Sequence, residues 1–322
     1  MPFLLALGLG AVLTPLAALL GARLGLVDRP DGGRLKVHPR PVPLTGGLAV
    51  LASAAMALAL LGGLPSPWSL AAVAVALGVG TADDRRPVPP WPRLLGLALA
   101  GALAAVDAPL EALGSLAPLG TVLLVVACAN GANLLDGQDG LAGGLAALAA
   151  LGLALVGSLA SWGADVHPGL ALAGALLGFL VWNRPPARVF LGNGGAYAVG
   201  TWLALVVAGA SEGGGWHALL ACGVVLGVFA FELASTVARR VATRTSLASG
   251  DRDHSYDMVA AALGSRGRAT AAFLVAGGVA AGLGGLAAAS GLRVTVAVGG
   301  AGAVLAGLWG VRLWRHRVPQ SP

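Results

Sequence analysis

Residues 121–160 read "TVLLVVACANGANLLDGQDGLAGGLAALAALGLALVGSLA". Two apolar runs flank a polar centre in which Asn130, Asn133, Asp136 and Asp139 fall within ten residues. Each run is close to the roughly 20 apolar residues that cross a hydrocarbon core of about 30 Å as a helix. Helices and closed barrels alone satisfy their backbone groups in lipid, and barrel strands would be shorter and would alternate. The stretch therefore reads as two membrane helices, 118–135 and 141–160, joined by a polar turn. Such polar groups cost on the order of kilocalories each near hydrocarbon unless they are paired, wet or used.

The rest of the chain agrees. Of its 322 residues, 57% are hydrophobic and 11% charged, against about 25% charged in soluble domains. Mean hydropathy is +0.83. The 51 glycines suit close helix packing and equally a GC-rich genome. Cys128 and Cys222 stand inside apolar runs and read as small buried side chains. The fold class expected is all-α and polytopic. Eleven spans are predicted, at 3–21, 46–64, 68–82, 94–107, 118–135, 141–160, 168–183, 195–211, 217–236, 270–289 and 294–311. The first is expected to be a retained span, because it is too long for a signal-peptide core and has no basic start.

Charge orients the spans. The connections 22–45, 83–93, 136–140, 184–194, 237–269 and 312–322, with their flanking helix ends, hold 19 of the 20 basic residues, and only Arg293 lies on the other side. The positive-inside rule puts that set in the cytoplasm, with the N-terminus out and the C-terminus in. The pI of about 10.6 is thus a topology signal. It implies contact with anionic membrane lipid and calls for no nucleic acid. Within 237–269, "SYDMVAAAL" is expected to form a short helix.

Polar residues gather on the same side. Asp83 and Asp84 end the third span. Asn130, Asn133, Asp136 and Asp139 end the fifth. Asn183, Arg184, Arg188 and Asn193 follow the seventh, and Asp251, Asp253, His254 and Asp257 lie in the long loop. Nine of the 14 carboxylates are here, while Asp107, Glu111, Asp165 and Glu212 are outside and Glu232 sits inside the ninth span. Each group alone has a plainer reading. An Asp-Asp pair caps a helix, Asp-Gly makes a turn, "GNGG" bends, lone histidines sit at surfaces, and "RLWRHR" anchors at headgroups. Together, carboxylates and amides suit Mg²⁺ with retained waters and phosphates, with Mn²⁺ the admissible substitute. Arginines and glycines suit phosphate. The combination points to phosphoryl transfer onto a membrane-borne acceptor. A transporter would place ionisable groups near the midplane, where this chain has almost none.

From about residue 24 to 269 the chain resembles the polyprenyl-phosphate N-acetylhexosamine-1-phosphate transferases. The segments are "VDRPDGGRLKVHPRPVPLTGG", "GTADDRRPVPP", "NGANLLDGQDGLAGG", "GFLVWNRPPARVFLGNGGAYAVG", "FELASTVARR" and "GDRDHSYDM", in the family's order. "NGANLLDGQDGL" matches the family pattern N-x-x-N-x-x-D-G-x-D-G-L. The resemblance implies a single membrane-embedded transferase domain over 1–322, ending in a basic cytoplasmic tail, 312–322. It implies a multi-pass cell-membrane enzyme with its site on the cytoplasmic face. Its reaction would join undecaprenyl phosphate to the sugar phosphate of a UDP-sugar, with Mg²⁺ on the diphosphate and UMP released. Asp83 would serve the acceptor phosphate as base or positioning group, with Asp84 and Asp139 in the catalytic set. Asn130, Asn133 and Asp136 would line the nucleotide pocket, and Phe190 would stack on uracil. Lys36, His38 and His254 would meet substrate. Asp84, Asp136, Asn193 and Asp257 are the expected metal donors. A homodimer is admissible.

Two departures stand out. The family's metal-binding Asp in F-x-G-D is Asn193, and its histidine loop keeps only His254, with Tyr256 and Asp257 at neighbouring positions. Asp257 or Asp253 is expected to supply the missing charge. The departures leave a second reading open, a non-catalytic paralogue that binds lipid phosphate or nucleotide-sugar.

Overall fold

A computed structural model describes residues 1–30, 38–159, 165–246 and 253–315. Lys36, Asp251 and the tail from 316 onward lie outside the described residues. Among those described, thirteen α-helices carry the fold. They are α1 (Pro2–Arg23), α2 (Gly46–Leu60), α3 (Pro67–Arg85), α4 (Pro90–Ala104), α5 (Ala117–Leu135), α6 (Leu141–Leu159), α7 (His167–Asn183), α8 (Gly192–Ser211), α9 (Gly215–Val225), α10 (Gly227–Ala242), α11 (Ser255–Leu263), α12 (Arg266–Ser290) and α13 (Leu292–Arg315). The all-α expectation holds, with one addition: β1 (Val27–Asp28) and β2 (Val42–Pro43) pair antiparallel and close the first connection.

Local chemistry places the ends. α3 starts at Ser66, whose side chain accepts the Ser69 N–H at 3.1 Å, with Pro67 in the first turn. α11 coincides with "SYDMVAAAL" and stops at Gly264, which is left-handed at φ 65°. Ser265 then caps α12 by accepting the Arg268 N–H.

Among the described residues, by length and apolarity alone, six helices can cross a membrane: α1, α5 with the short 3₁₀ turn before it, α6, α8, α12 and α13. The α9–α10 pair would make a seventh, but it is bent by 71°. The continuous ninth span expected over 217–236 is therefore broken, at Leu226. Gly227 opens α10 there, and a glycine weakens the helix at that point. The bend has a physical reason. α10 carries Glu232, Thr236, Arg239 and Arg240, all buried, and turning it brings Glu232 onto the segment before α11.

The core forms where glycines let backbones touch. α8 is buried along nearly its whole length and packs on α3, α5, α2 and α6. A Cβ added to Gly47 would fall on the Gly195 backbone, and one added to Gly80 would fall on the backbone of Asn193 and Gly194. This is small-residue packing, in which close approach replaces the hydrophobic drive that lipid cannot supply. Gly78, two residues from Gly80, has nothing within 4 Å of such a Cβ. Overpacking costs about 1–3 kcal/mol, whereas alanine at an open helical glycine gains up to about 1 kcal/mol. Gly80→Ala is therefore expected to lower the unfolding temperature in detergent, and Gly78→Ala to leave it level or raise it. Equal behaviour of the two variants would contradict this packing.

Candidate active site

The centre of the site is the N-terminus of α8. A helix start leaves backbone N–H groups without intrahelical partners. Here the Asp84 carboxylate, from the end of α3, accepts the N–H groups of Asn193 (3.0 Å) and Gly194 (3.1 Å). Gly192 makes the turn at φ 77°, and a Cβ on it would meet both the Leu44 carbonyl and Asp84. One acid thus caps a helix that is remote in sequence, and a carboxylate there complements the helix dipole.

The Asn193 side chain then joins two more elements. Its Oδ1 accepts from Asn133 Nδ2 at 2.7 Å, and its Nδ2 donates to Asp83 Oδ2 at 3.1 Å. Asp83 also accepts from Arg93 Nη1 (2.9 Å) and the Val88 N–H (2.8 Å). Its side chain is only 7% exposed, so these charge-assisted bonds hold it in one orientation. Arg93 counted in the sequence only toward topology. Its partnership with Asp83 across ten residues had no signal there beyond its charge.

One turn past Asn133 comes the Asp136–Gly140 turn. Asp139 Oδ2 accepts the Ala187 N–H at 2.9 Å. Asn183 Oδ1 accepts the Gly140 N–H at 3.0 Å, while its amide donates to the Val189 carbonyl at 2.8 Å. Asp139 and Asn183 therefore tie this turn to the loop before Phe190. Burial, reinforced by the carboxylates of Asp84 and Asp139, holds the pKa of Asp136 well above the usual range. Gln138 accepts from Thr270 Oγ1 at 3.1 Å. Its Nε2 is the one fully occluded side-chain nitrogen or oxygen without a partner among the described residues. Such an atom calls for an acceptor from water or ligand, and sequence reading did not single it out.

His38 and Phe190 come together, edge to face at 5.3 Å. His38 bonds Asp28 through Nε2 (2.8 Å) and the Arg40 carbonyl through Nδ1 (2.7 Å). Phe190 is held by its backbone between Pro43 and Gly46. Asn130 turns back on its own helix, donating to the Val126 carbonyl. His254 stands at the N-cap position of α11. Its Nδ1 is 2.8 Å from Glu232 Oε1, and Ser255 and Thr236 donate to the same carboxylate. His254 stacks on Tyr256, whose hydroxyl occupies the place a Cβ on Gly137 would take. Asp253 faces Arg239 at 3.8 Å. Asp257 sits in the first turn of α11 and lines a shallow depression with Gly264 and Arg266.

Among the described residues, no three His, Cys, Asp or Glu side chains converge to hold a metal ion. Asp84, Asp136 and Asp257 thus do not make one closed cage. Mg²⁺ seldom uses such a cage; it takes one or two carboxylates, waters and substrate phosphate. The crowding of Asp84 and Asp139 around Asp136 is what a hard cation relieves, so the donor chemistry fits such an ion.

Fold and site define a helical membrane protein with a carboxylate–amide centre at the ends of its helices. The family model for glycosyl transferase family 4 matches residues 67–210, which contain that centre. The chain is 34% identical over 228 residues to the phospho-N-acetylmuramoyl-pentapeptide-transferase of Moorella thermoacetica, covering 62% of this chain and 71% of that protein. It is 27% identical over 264 residues to the probable undecaprenyl-phosphate N-acetylglucosaminyl 1-phosphate transferase of Bacillus subtilis, covering 76% and 72%. With the decaprenyl-phosphate N-acetylglucosaminephosphotransferase of Mycobacterium tuberculosis it shares 32% identity over 219 residues, 58% and 54% of the two chains. The chain belongs to glycosyl transferase family 4.

Asp84→Ala would leave the Asn193 and Gly194 N–H groups without their acceptor, at roughly 1–3 kcal/mol for each buried donor. It is expected to unfold at clearly lower temperature than Asp84→Asn, which keeps one oxygen acceptor. Matching melting curves for Asp84→Ala and the unmodified protein would show that the cap contributes nothing.

Proposed function

We propose that this enzyme transfers a sugar-1-phosphate, of the N-acetylhexosamine class, from a UDP-sugar to undecaprenyl phosphate. UMP is released, and the product starts a cell-wall or surface glycan. The observation that carries the reading is the joined set of Asp83, Asp84, Asn133 and Asn193, drawn from three helices. The printed activities of the relatives, all transfers involving a sugar phosphate or a polyprenyl phosphate carrier, support it.

In the proposed reaction an acceptor phosphate oxygen attacks the β-phosphorus of the donor. A new P–O bond forms, and the bond to the bridging oxygen breaks. That oxygen leaves on UMP with the electron pair. A phosphate monoester is already largely ionised near neutral pH, so the step needs little base and much positioning. Asp83 is fixed by Arg93 and Asn193 and orients the acceptor. Phe190 offers its ring to uracil. Bound Mg²⁺, held by Asp84 and Asp136, would neutralise diphosphate charge. Arg93 lies against Asp83, so it adds to the loss of negative charge at Asn193 and does not offset it.

Purified protein with undecaprenyl phosphate, Mg²⁺ and a panel of UDP-sugars is expected to release UMP. Asp83→Asn is expected to reduce turnover by roughly 10²-fold or more, the scale of a lost positioned electrostatic group. Full turnover in that variant, or in excess chelator, would refute the assignment.

The reading includes eleven crossings with the N-terminus outside and the site on the cytoplasmic face, supported by the 19-to-1 division of basic residues. Single cysteines at Ser115 and Ser249 of a cysteine-free variant are expected to react with an impermeant reagent from opposite sides. Reaction from one side only would overturn the topology.

A further inference from the structure

The helix pair that carries Asp83, Asp84 and Asn193 has a second polar end. α3 and α8 run antiparallel, because the end of α3 bonds the start of α8. The start of α3, at Ser66 and Ser69, therefore meets the end of α8, at Gly209 and Glu212. At 1.5 Å per residue, this end lies roughly 20–25 Å from the acids just described. Between the two helices and their neighbours is a cavity of about 230 Å³. Asp107, Glu111, Asp165 and Glu212 all line it. These are the four carboxylates the sequence sets apart from the other ten, and the fold brings them to one opening. Among the described residues, no Lys or Arg lines it.

Acids alone would say little, since solvated carboxylates are ordinary. Trp202 adds an independent observation. It also lines the cavity, is only 3% exposed, and its indole N–H has no acceptor among the described residues. Gln138 Nε2 is the one fully occluded unpartnered nitrogen among them, so the Trp202 nitrogen keeps some access, on a side chain that lines the cavity. Indole is a donor only, so the cavity asks for an oxygen acceptor as well as for positive charge.

The kind of cation follows from the walls. Two carboxylates are already engaged, Asp107 by Ser69 Oγ at 3.3 Å and Asp165 by His167 at 2.9 Å. Leucine and valine side chains of α3 and α8 form much of the remaining wall. Dispersed negative charge, apolar walls and an indole suit an organic ammonium better than a hydrated ion. We propose that this cavity binds an organic ammonium group bearing a nearby oxygen acceptor, as in an amino alcohol. The ammonium would lie among the carboxylates and the oxygen would accept from Trp202. This chemistry occurs in free ethanolamine and in the head group of phosphatidylethanolamine. The proposal does not depend on the transferase reading.

Two binding measurements separate the sources. Ethanolamine is titrated calorimetrically into the purified protein in detergent. Phosphatidylethanolamine and phosphatidylglycerol are compared by native mass spectrometry for retention on the same protein. Saturable binding is expected in at least one arm, and that arm identifies the source. In that arm, Asp107→Asn with Glu212→Gln is expected to weaken binding about tenfold or more. In the soluble arm, ethanolamine should bind better than propylamine, and Trp202→Phe should erase that difference. Ethylene glycol, the neutral analogue, should not bind, a comparison that needs no variant to fold. No saturable binding in either arm, ethylene glycol binding as well as ethanolamine, or full binding by a folded double carboxamide variant would each overturn the proposal.

Discussion

The structure turns on one amide. Asn193 donates to a carboxylate and accepts from another amide at the same moment, which a neutral carboxamide can do and an ionised carboxylate cannot. Its Nδ2 meets Asp83 and its Oδ1 meets Asn133, so α3, α5 and α8 are fixed in mutual register at their ends. A carboxylate at this position would face Asp83 with like charge at hydrogen-bond range, which a low-dielectric setting makes expensive without a cation or proton between them. Asp84 completes the joint by capping α8. The acids that suit phosphate chemistry are therefore also the acids that hold the helix ends together, and their orientation comes from bonds made across the fold.

Antiparallel packing of α3 and α8 carries a further consequence. Each helix is apolar in its middle and polar at both ends, and glycines at 80 and 194 bring the two backbones into contact near the Asp84 end. Polar chemistry is excluded from the centre and concentrated at two ends. One end is built of carboxylates engaged by amides, an arginine and backbone N–H groups. The other is an acidic cavity with an indole donor that no described residue satisfies.

The break between α9 and α10 serves the same logic of paired burial. Glu232 is fully buried and would be costly as a lone charge. The bend brings it to His254 and Ser255, and Thr236 on its own helix adds a third bond. Through His254 and the stacked Tyr256, this anchor reaches Gly137 in the turn that carries Asp136 and Asp139. The C-terminal part of the chain, beyond the family match, is thus built into the site by a chain of contacts.

Much of this was written locally. Hydropathy marked where most of the helices run, and even the short α11 was visible as "SYDMVAAAL", because these signals act within a few turns of chain. The concentration of acids and amides in four connections was visible for the same reason, and the motif order pointed to the family. Other features were decided only by the fold. The broken ninth helix was not visible, because its cause is the burial of Glu232 against a segment 22 residues away. Arg93 and Gln138 carried no pattern that set them apart, and Asn193 read as a lost charge where the structure shows a three-way joint. The four carboxylates of the acidic cavity are dispersed over more than a hundred residues of sequence until packing gathers them. Sequence determined which residues are polar and on which helix ends they fall, since that depends on neighbours along the chain. Tertiary structure alone decided which of them meet, since hydrogen bonds of about 3 Å join groups 60 and 110 residues apart.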